Sequence, residues 1–145
     1  MIQSRAAEAY RLNQLELAVN AARPVELVVM LYDGAIASTR HAIHAIASGD
    51  VPTKAAEVSR ATNILSELAG VLDLEQGEVA NNLANLYDYM RSQLLQANLR
   101  NSTERLEEVA GLLLQLRESW QTLAQRQSAE RRQVALGEPL VARAG

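Results

Sequence analysis

The sequence predicts an all-α protein: an antiparallel up-down four-helix bundle, with a short N-terminal helical segment before it and a disordered C-terminal tail after it. Three observations carry this. Leucine, alanine, glutamate, glutamine and arginine dominate the chain, and all are good helix formers. Apolar residues recur at alternating spacings of three and four along four long segments, and no segment alternates at period two. Short breaks rich in glycine, proline, asparagine or serine separate those segments, which makes consecutive helices antiparallel neighbours.

The elements follow in order. Residues 1–23 hold a weaker amphipathic stretch (Ala9, Tyr10, Leu12, Leu15, Val19), suited to a short helix laid against the bundle. The bundle is expected over residues 24–125. Its first helix runs from about Pro24 to Ala47, with proline in the first turn, where its missing N–H is no loss. Val28, Leu31, Tyr32, Ala35, Thr39, Ala42, Ile43 and Ile46 share one of its faces. The second, from about Pro52 to Leu72, stacks Val58, Ala61, Leu65, Leu68 and Leu72. The third, from about Glu78 to Leu99, stacks Val79, Leu83, Leu86, Tyr87, Met90, Leu94 and Ala97. The fourth begins with Asn101 or Ser102 as N-cap, and Glu104 stands three residues after Asn101, the spacing of a capping box. Its stripe is Leu106, Val109, Leu113, Leu116, Trp120 and Ala124. Residues 126–145 carry few large apolar side chains and include Gly137-Glu138-Pro139, so this tail is expected to be disordered.

Composition excludes several function classes. The 145 residues carry a formal charge of −3, without the basic excess of a general nucleic-acid binder. With no cysteine, disulfides, zinc–cysteine sites and thiol catalysis are all absent. The longest wholly apolar run, Leu27 to Tyr32, falls far short of the ~20 residues a membrane span needs. The N-terminus lacks an apolar secretory core, and a cytoplasmic protein without membrane insertion is expected. The two histidines, His41 and His44, fall on or beside the polar side of the first bundle helix, and no carboxylate lies three or four residues from either. Glu-x-x-His pairs, which di-iron bundles require, do not occur. The glycines are scattered, so there is no phosphate-binding loop. No cofactor and no enzymatic activity are expected.

Apolar material on the wrong faces remains to be explained. Val29 and Met30 lie outside the first stripe, beside Glu26, Asp33 and Ala37; Tyr89, Leu95 and Leu99 lie outside the third; Leu114 lies outside the fourth. Taken one at a time, such residues are ordinary on a protein surface. Several together suit a bundle whose grooves receive an amphipathic partner, where methionine adapts and tyrosine joins an apolar ring to a polar tip. A homodimer interface is the structural rival to that reading.

The residues also resemble a known family. The run Pro24-Val25-Glu26-Leu27-Val28-Val29-Met30-Leu31-Tyr32-Asp33-Gly34-Ala35-Ile36 resembles the first-helix signature of the flagellar secretion chaperones of the FliS type. Gly77-Glu78-Val79-Ala80-Asn81-Asn82-Leu83 and Leu86-Tyr87-Asp88-Tyr89-Met90 are similar to the family's third helix. Ala97-Asn98-Leu99-Arg100-Asn101 is similar to the connection that follows, and Glu107-Glu108-Val109 with Trp120 to the fourth helix. In order and spacing the likeness covers about Ala7 to Ala124. The chain departs from the family pattern at Arg23-Pro24, where a capping serine is common, at Gln76-Gly77, where a double glycine is usual, and at Glu8, where asparagine is frequent.

The resemblance implies a cytoplasmic chaperone that binds the disordered C-terminal region of flagellin, prevents premature polymerisation and keeps the subunit competent for type III secretion. It also implies docking of the loaded complex on the export gate. In the family the segment around an N-terminal tyrosine, matched here by Tyr10, lies over a groove when no client is present. Client contacts are therefore expected at Tyr10, Val29, Met30, Tyr89 and Leu95, with Leu31 and Tyr87 supporting from the core edge and Asp33 and Asn82 orienting the client by hydrogen bonds. A bundle of this kind serving another secreted client is the alternative.

Overall fold

A computed structural model describes residues 2–137. Five α-helices follow in order: α1 (Ile2–Leu17), α2 (Val25–Ser48), α3 (Val51–Gly70), α4 (Glu78–Arg100) and α5 (Thr103–Ala135), with a short 3-10 turn at Leu74–Gln76 before α4. Helix α2 packs on α3 and α5, and α4 packs on the same two, closing a four-membered ring of sequential neighbours. That is the up-down-up-down bundle; α1 lies outside it, across α4 and α5.

Each link has a local cause. Gly49 ends α2 in the left-handed conformation (φ 70°), and Asp50 then caps α3 by accepting a hydrogen bond from the Thr53 N–H at 3.2 Å. The Thr53 side chain, and after it this backbone bond, holds the Asp50 carboxyl below its ordinary range. Gly77 precedes α4 at φ 102° and ψ −158°, a region only glycine occupies without strain. Pro24 is itself the N-cap of α2, one position before the first turn expected to hold it, and makes no side-chain bond there.

Two expectations need correction. Asn101 belongs to the end of α4, in the left-handed conformation (φ 51°), and Ser102 alone caps α5 by accepting the Arg105 N–H at 3.3 Å. There is consequently no capping box with Glu104: the third residue after the true cap is an arginine. The chain expected to be disordered from residue 126 is helical as far as Ala135. The reason is polar rather than apolar. Glutamine, alanine and arginine favour helix there, and Arg126, Gln127 and Arg131 bond to Asn13, Glu16 and Glu26. The remainder of that tail, 138–145, lies outside the described residues.

The core runs the length of the bundle and centres on Trp120, Tyr32 and Tyr87. Tyr32 and Tyr87 meet hydroxyl to hydroxyl at 2.5 Å, and the Trp120 indole N–H donates to Tyr32 at 3.1 Å, so each polar tip in the dry centre is satisfied. Burial pushes the Tyr32 phenol up to about 12, and it raises Tyr87 well above its ordinary value. Lys54 is also buried; its ammonium donates to the Asn98 carbonyl at 2.9 Å and to the Asn101 side chain at 2.5 Å, tying α3 to the end of α4.

Between α1 and α2 the chain is held by backbone bonds. An isolated antiparallel bridge joins Val19 to Leu72, the Asn20 N–H donating to the Val71 carbonyl and the Asp73 N–H to the Ala18 carbonyl, both at 2.9 Å. Ala18 and Val19 are buried beneath it.

Candidate functional site

The groove between α4 and α5 is built by their stripe residues. Val79, Leu83 and Leu86 of α4 face Leu116 and Trp120 of α5, with Asn82 and Ser119 at the rim. Helix α1 lies over it because Leu12 and Leu15, three residues apart, project from one face. Both are buried, and beside them an open cleft of about 270 Å³ runs between α1 and the groove residues. The cleft opens to solvent at the edge of the contact, where Arg11 also borders it.

At its C-terminal end α1 is joined to α5 by polar bonds. Arg126 donates to the Asn13 side chain at 3.1 Å and stands 3.8 Å from Glu16, while the Gln127 amide donates to Glu16 at 2.6 Å. One turn further along α5, Arg131 pairs with Glu26 at 2.5 Å; this bond is the main cause holding the Glu26 carboxyl below its ordinary range.

The residues singled out from sequence are spread over several faces. Asn82 is at the α4/α5 groove. Tyr10 points away from it and is 67% exposed; the residues that α1 inserts are Leu12 and Leu15. Tyr87 sits in the centre of the core rather than at its edge, 1% exposed, and offers a partner no surface. On α2, Val29 and Leu31 are half-buried against the core, Met30 is exposed, and Asp33 is ion-paired with Arg117 of α5. Tyr89 is partly exposed and donates to Glu108 at 2.7 Å, within a chain in which Gln93 donates to Glu108 at 2.6 Å and Arg105 donates to Gln93 at 2.8 Å. The bond to Glu108 chiefly raises the Tyr89 phenol, and the bond from Gln93 chiefly lowers the Glu108 carboxyl. Leu95 stands in a separate groove between α3 and α4, of about 590 Å³, floored by Val58 and edged by Ser59, Asn63 and Arg91.

Sequence reasoning assigned Leu83, Leu86, Leu116 and Trp120 to the core and did not separate their groove side. The available signal was the spare amphipathic stretch with Leu12 and Leu15, which had to cover something. Among the described residues no cluster of His, Cys, Asp or Glu is placed to hold a metal, and no helix is long and apolar enough to cross a membrane. His41 faces Glu57 across α2 and α3 at 3.5 Å.

The fold and the groove define an all-helical bundle protein whose apolar inter-helix groove is covered by an amphipathic helix of its own chain. The particular family is shown by comparison. Residues 6–127 match the family model described as flagellar protein FliS. The chain is 43% identical over 123 residues to the flagellar secretion chaperone FliS of Salmonella typhimurium, covering 83% of this chain and 91% of that protein. It is 36% identical over 113 residues to the FliS of Bacillus subtilis, covering 78% and 84%, and 34% identical over 121 residues to the flagellar secretion chaperone FliSB of Pseudomonas aeruginosa, covering 83% and 96%. The protein belongs to the FliS family of flagellar secretion chaperones.

Proposed function

We propose that this chaperone binds the C-terminal region of flagellin in the cytoplasm, prevents its premature polymerisation and delivers it to the flagellar type III export gate. The observation that carries the reading is the apolar α4/α5 groove, covered by a helix that stands outside the bundle. A client helix lays its apolar face on Val79, Leu83, Leu86 and Leu116 in place of Leu12 and Leu15, and so displaces α1. Helix α1 is then a lid, and Tyr10, exposed on its outer side, meets the client only once the lid has moved. Asn82 orients the client at the groove rim. The client continues along outer faces carrying Val29, Met30 and Asp33, then Tyr89, then Leu95, while Leu31 and Tyr87 support those faces from within. Binding of this kind needs no cofactor and no covalent step. The client loses chain entropy on ordering, and a long amphipathic contact offsets that loss.

Titration calorimetry with a flagellin C-terminal peptide tests the reading. Saturable one-to-one binding with a negative heat-capacity change and a gain of helix on circular dichroism supports it. Absence of heat at tens of micromolar peptide, or self-association of the chaperone in place of peptide binding, overturns it.

A further inference from the structure

We propose that α1 is a hinged lid with a polar latch: Asn13 and Glu16 on the lid are held by Arg126 and Gln127 on α5, and the lid swings about a pivot at residues 18–20 that stays bonded to the bundle when the groove opens. The proposal rests on the reading of α1 as the groove's displaceable occupant and assigns the residues that control it.

The latch and the pivot stand at the same end of α1. Arg126 reaches Asn13 at 3.1 Å and Glu16 at 3.8 Å, and Gln127 reaches Glu16 at 2.6 Å. The Arg126 and Glu16 side chains are only 21% and 28% exposed, so their attraction is screened less than that of a surface pair. Helix α5 packs extensively on α2 and little on α1, and Arg131 pairs with Glu26 one turn beyond, which leaves α1 as the moving partner. Towards its N-terminus α1 has a different character. Arg11 pairs within the helix, with Glu8. The side-chain polar bonds from α1 to α5 therefore stand beside the pivot, and Leu12 and Leu15 make the apolar contact with the groove.

The pivot is made of backbone. Asn20 donates to Val71 and Asp73 donates to Ala18, both at 2.9 Å, with Ala18 and Val19 buried underneath. These bonds do not involve α1 itself, so the helix can leave the groove without breaking them. The polar latch suits reversible opening, because water replaces its bonds on release.

Hydrogen exchange on the full chain without any client tests this. Two variants are compared with the parent: Arg126→Ala/Gln127→Ala on the bundle side and Asn13→Ala/Glu16→Ala on the lid side. The second leaves α5 chemically unchanged. Exchange of the α1 amides is expected to accelerate about tenfold in both, the size of losing one charged hydrogen bond. The Asn20 and Asp73 amides should keep the parent rate. Unchanged α1 exchange in the lid-side variant overturns the latch, and acceleration of Asn20 and Asp73 together with α1 overturns the pivot. No client takes part, so a latch that behaves as expected beside a peptide that fails to bind sinks the functional reading alone.

Discussion

The Tyr87 hydroxyl lies 2.5 Å from the Tyr32 hydroxyl at the centre of the bundle, and the Trp120 indole completes the chain by donating to Tyr32. Three helices, α2, α4 and α5, are thereby keyed to one another by polar contacts in a dry core, and the α4/α5 groove inherits its spacing from that key. Tyr87→Phe removes one of the two bonds to Tyr32 and leaves the other. Loss of about 1–2 kcal/mol in urea denaturation is expected, without loss of helix content.

The same pair sets an alkaline limit. The folded-state pKa of Tyr32 is raised to about 12, and burial raises Tyr87 in the same direction. A raised pKa means that the unfolded chain releases these protons first, near the ordinary tyrosine value of about 10. Stability from these groups is full below that value and falls as pH climbs from about 10 towards 12. Urea midpoints measured across that range should drop, and should drop less in Tyr87→Phe.

Lys54 places a charge inside the bundle, and the charge is tolerable only because Asn98 and Asn101 accept from it. Lys54→Met keeps the side-chain volume but removes both bonds and leaves the half-buried Asn98 carbonyl without its donor. A loss of about 1–3 kcal/mol in urea denaturation is expected.

Gly77 holds the turn into α4 at φ 102° and ψ −158°. Gly77→Ala should cost about 1–3 kcal/mol, read as a lowered thermal midpoint. With nothing within 4 Å of the added methyl, the loss is conformational strain rather than a clash.

Helix α1 and the client are expected to compete. Leu12→Ala/Leu15→Ala weakens the lid and leaves α2–α5 untouched, so the apparent affinity for a flagellin C-terminal peptide should rise about tenfold, because a larger fraction of molecules is open. Met30, 65% exposed, tests whether the client also runs along α2. Met30→Glu should weaken binding about fivefold without moving the thermal midpoint.

The bundle was legible in the sequence because its stripes, with Leu65, Leu94 and Leu113 fully buried, are spaced by helix geometry and nothing else competes with them. Ser102 and Asn101 were not resolved from each other, since both are good caps and only φ separates a helix end from a helix start. The extension of α5 past residue 126 was missed because apolar content was the guide, and the partners of Arg126 and Gln127 are polar residues more than a hundred positions away. Tyr87 and Tyr89 illustrate the limit for the site. They stand two positions apart on α4, yet one is sealed in the core and the other half-exposed against Glu108. Periodicity separates the core stripe from everything outside it, but it does not say which edge of a stripe borders a groove.

The most direct measurement places a photo-crosslinking residue at Asn82, on the groove rim facing α1. Without client, crosslinks should fall within α1, near Leu12 and Leu15. With a saturating flagellin C-terminal peptide they should move to the peptide, and the α1 product should fade. Crosslinks that stay on α1 while the peptide is bound would contradict the account, because the client would then be held somewhere other than the groove that α1 covers.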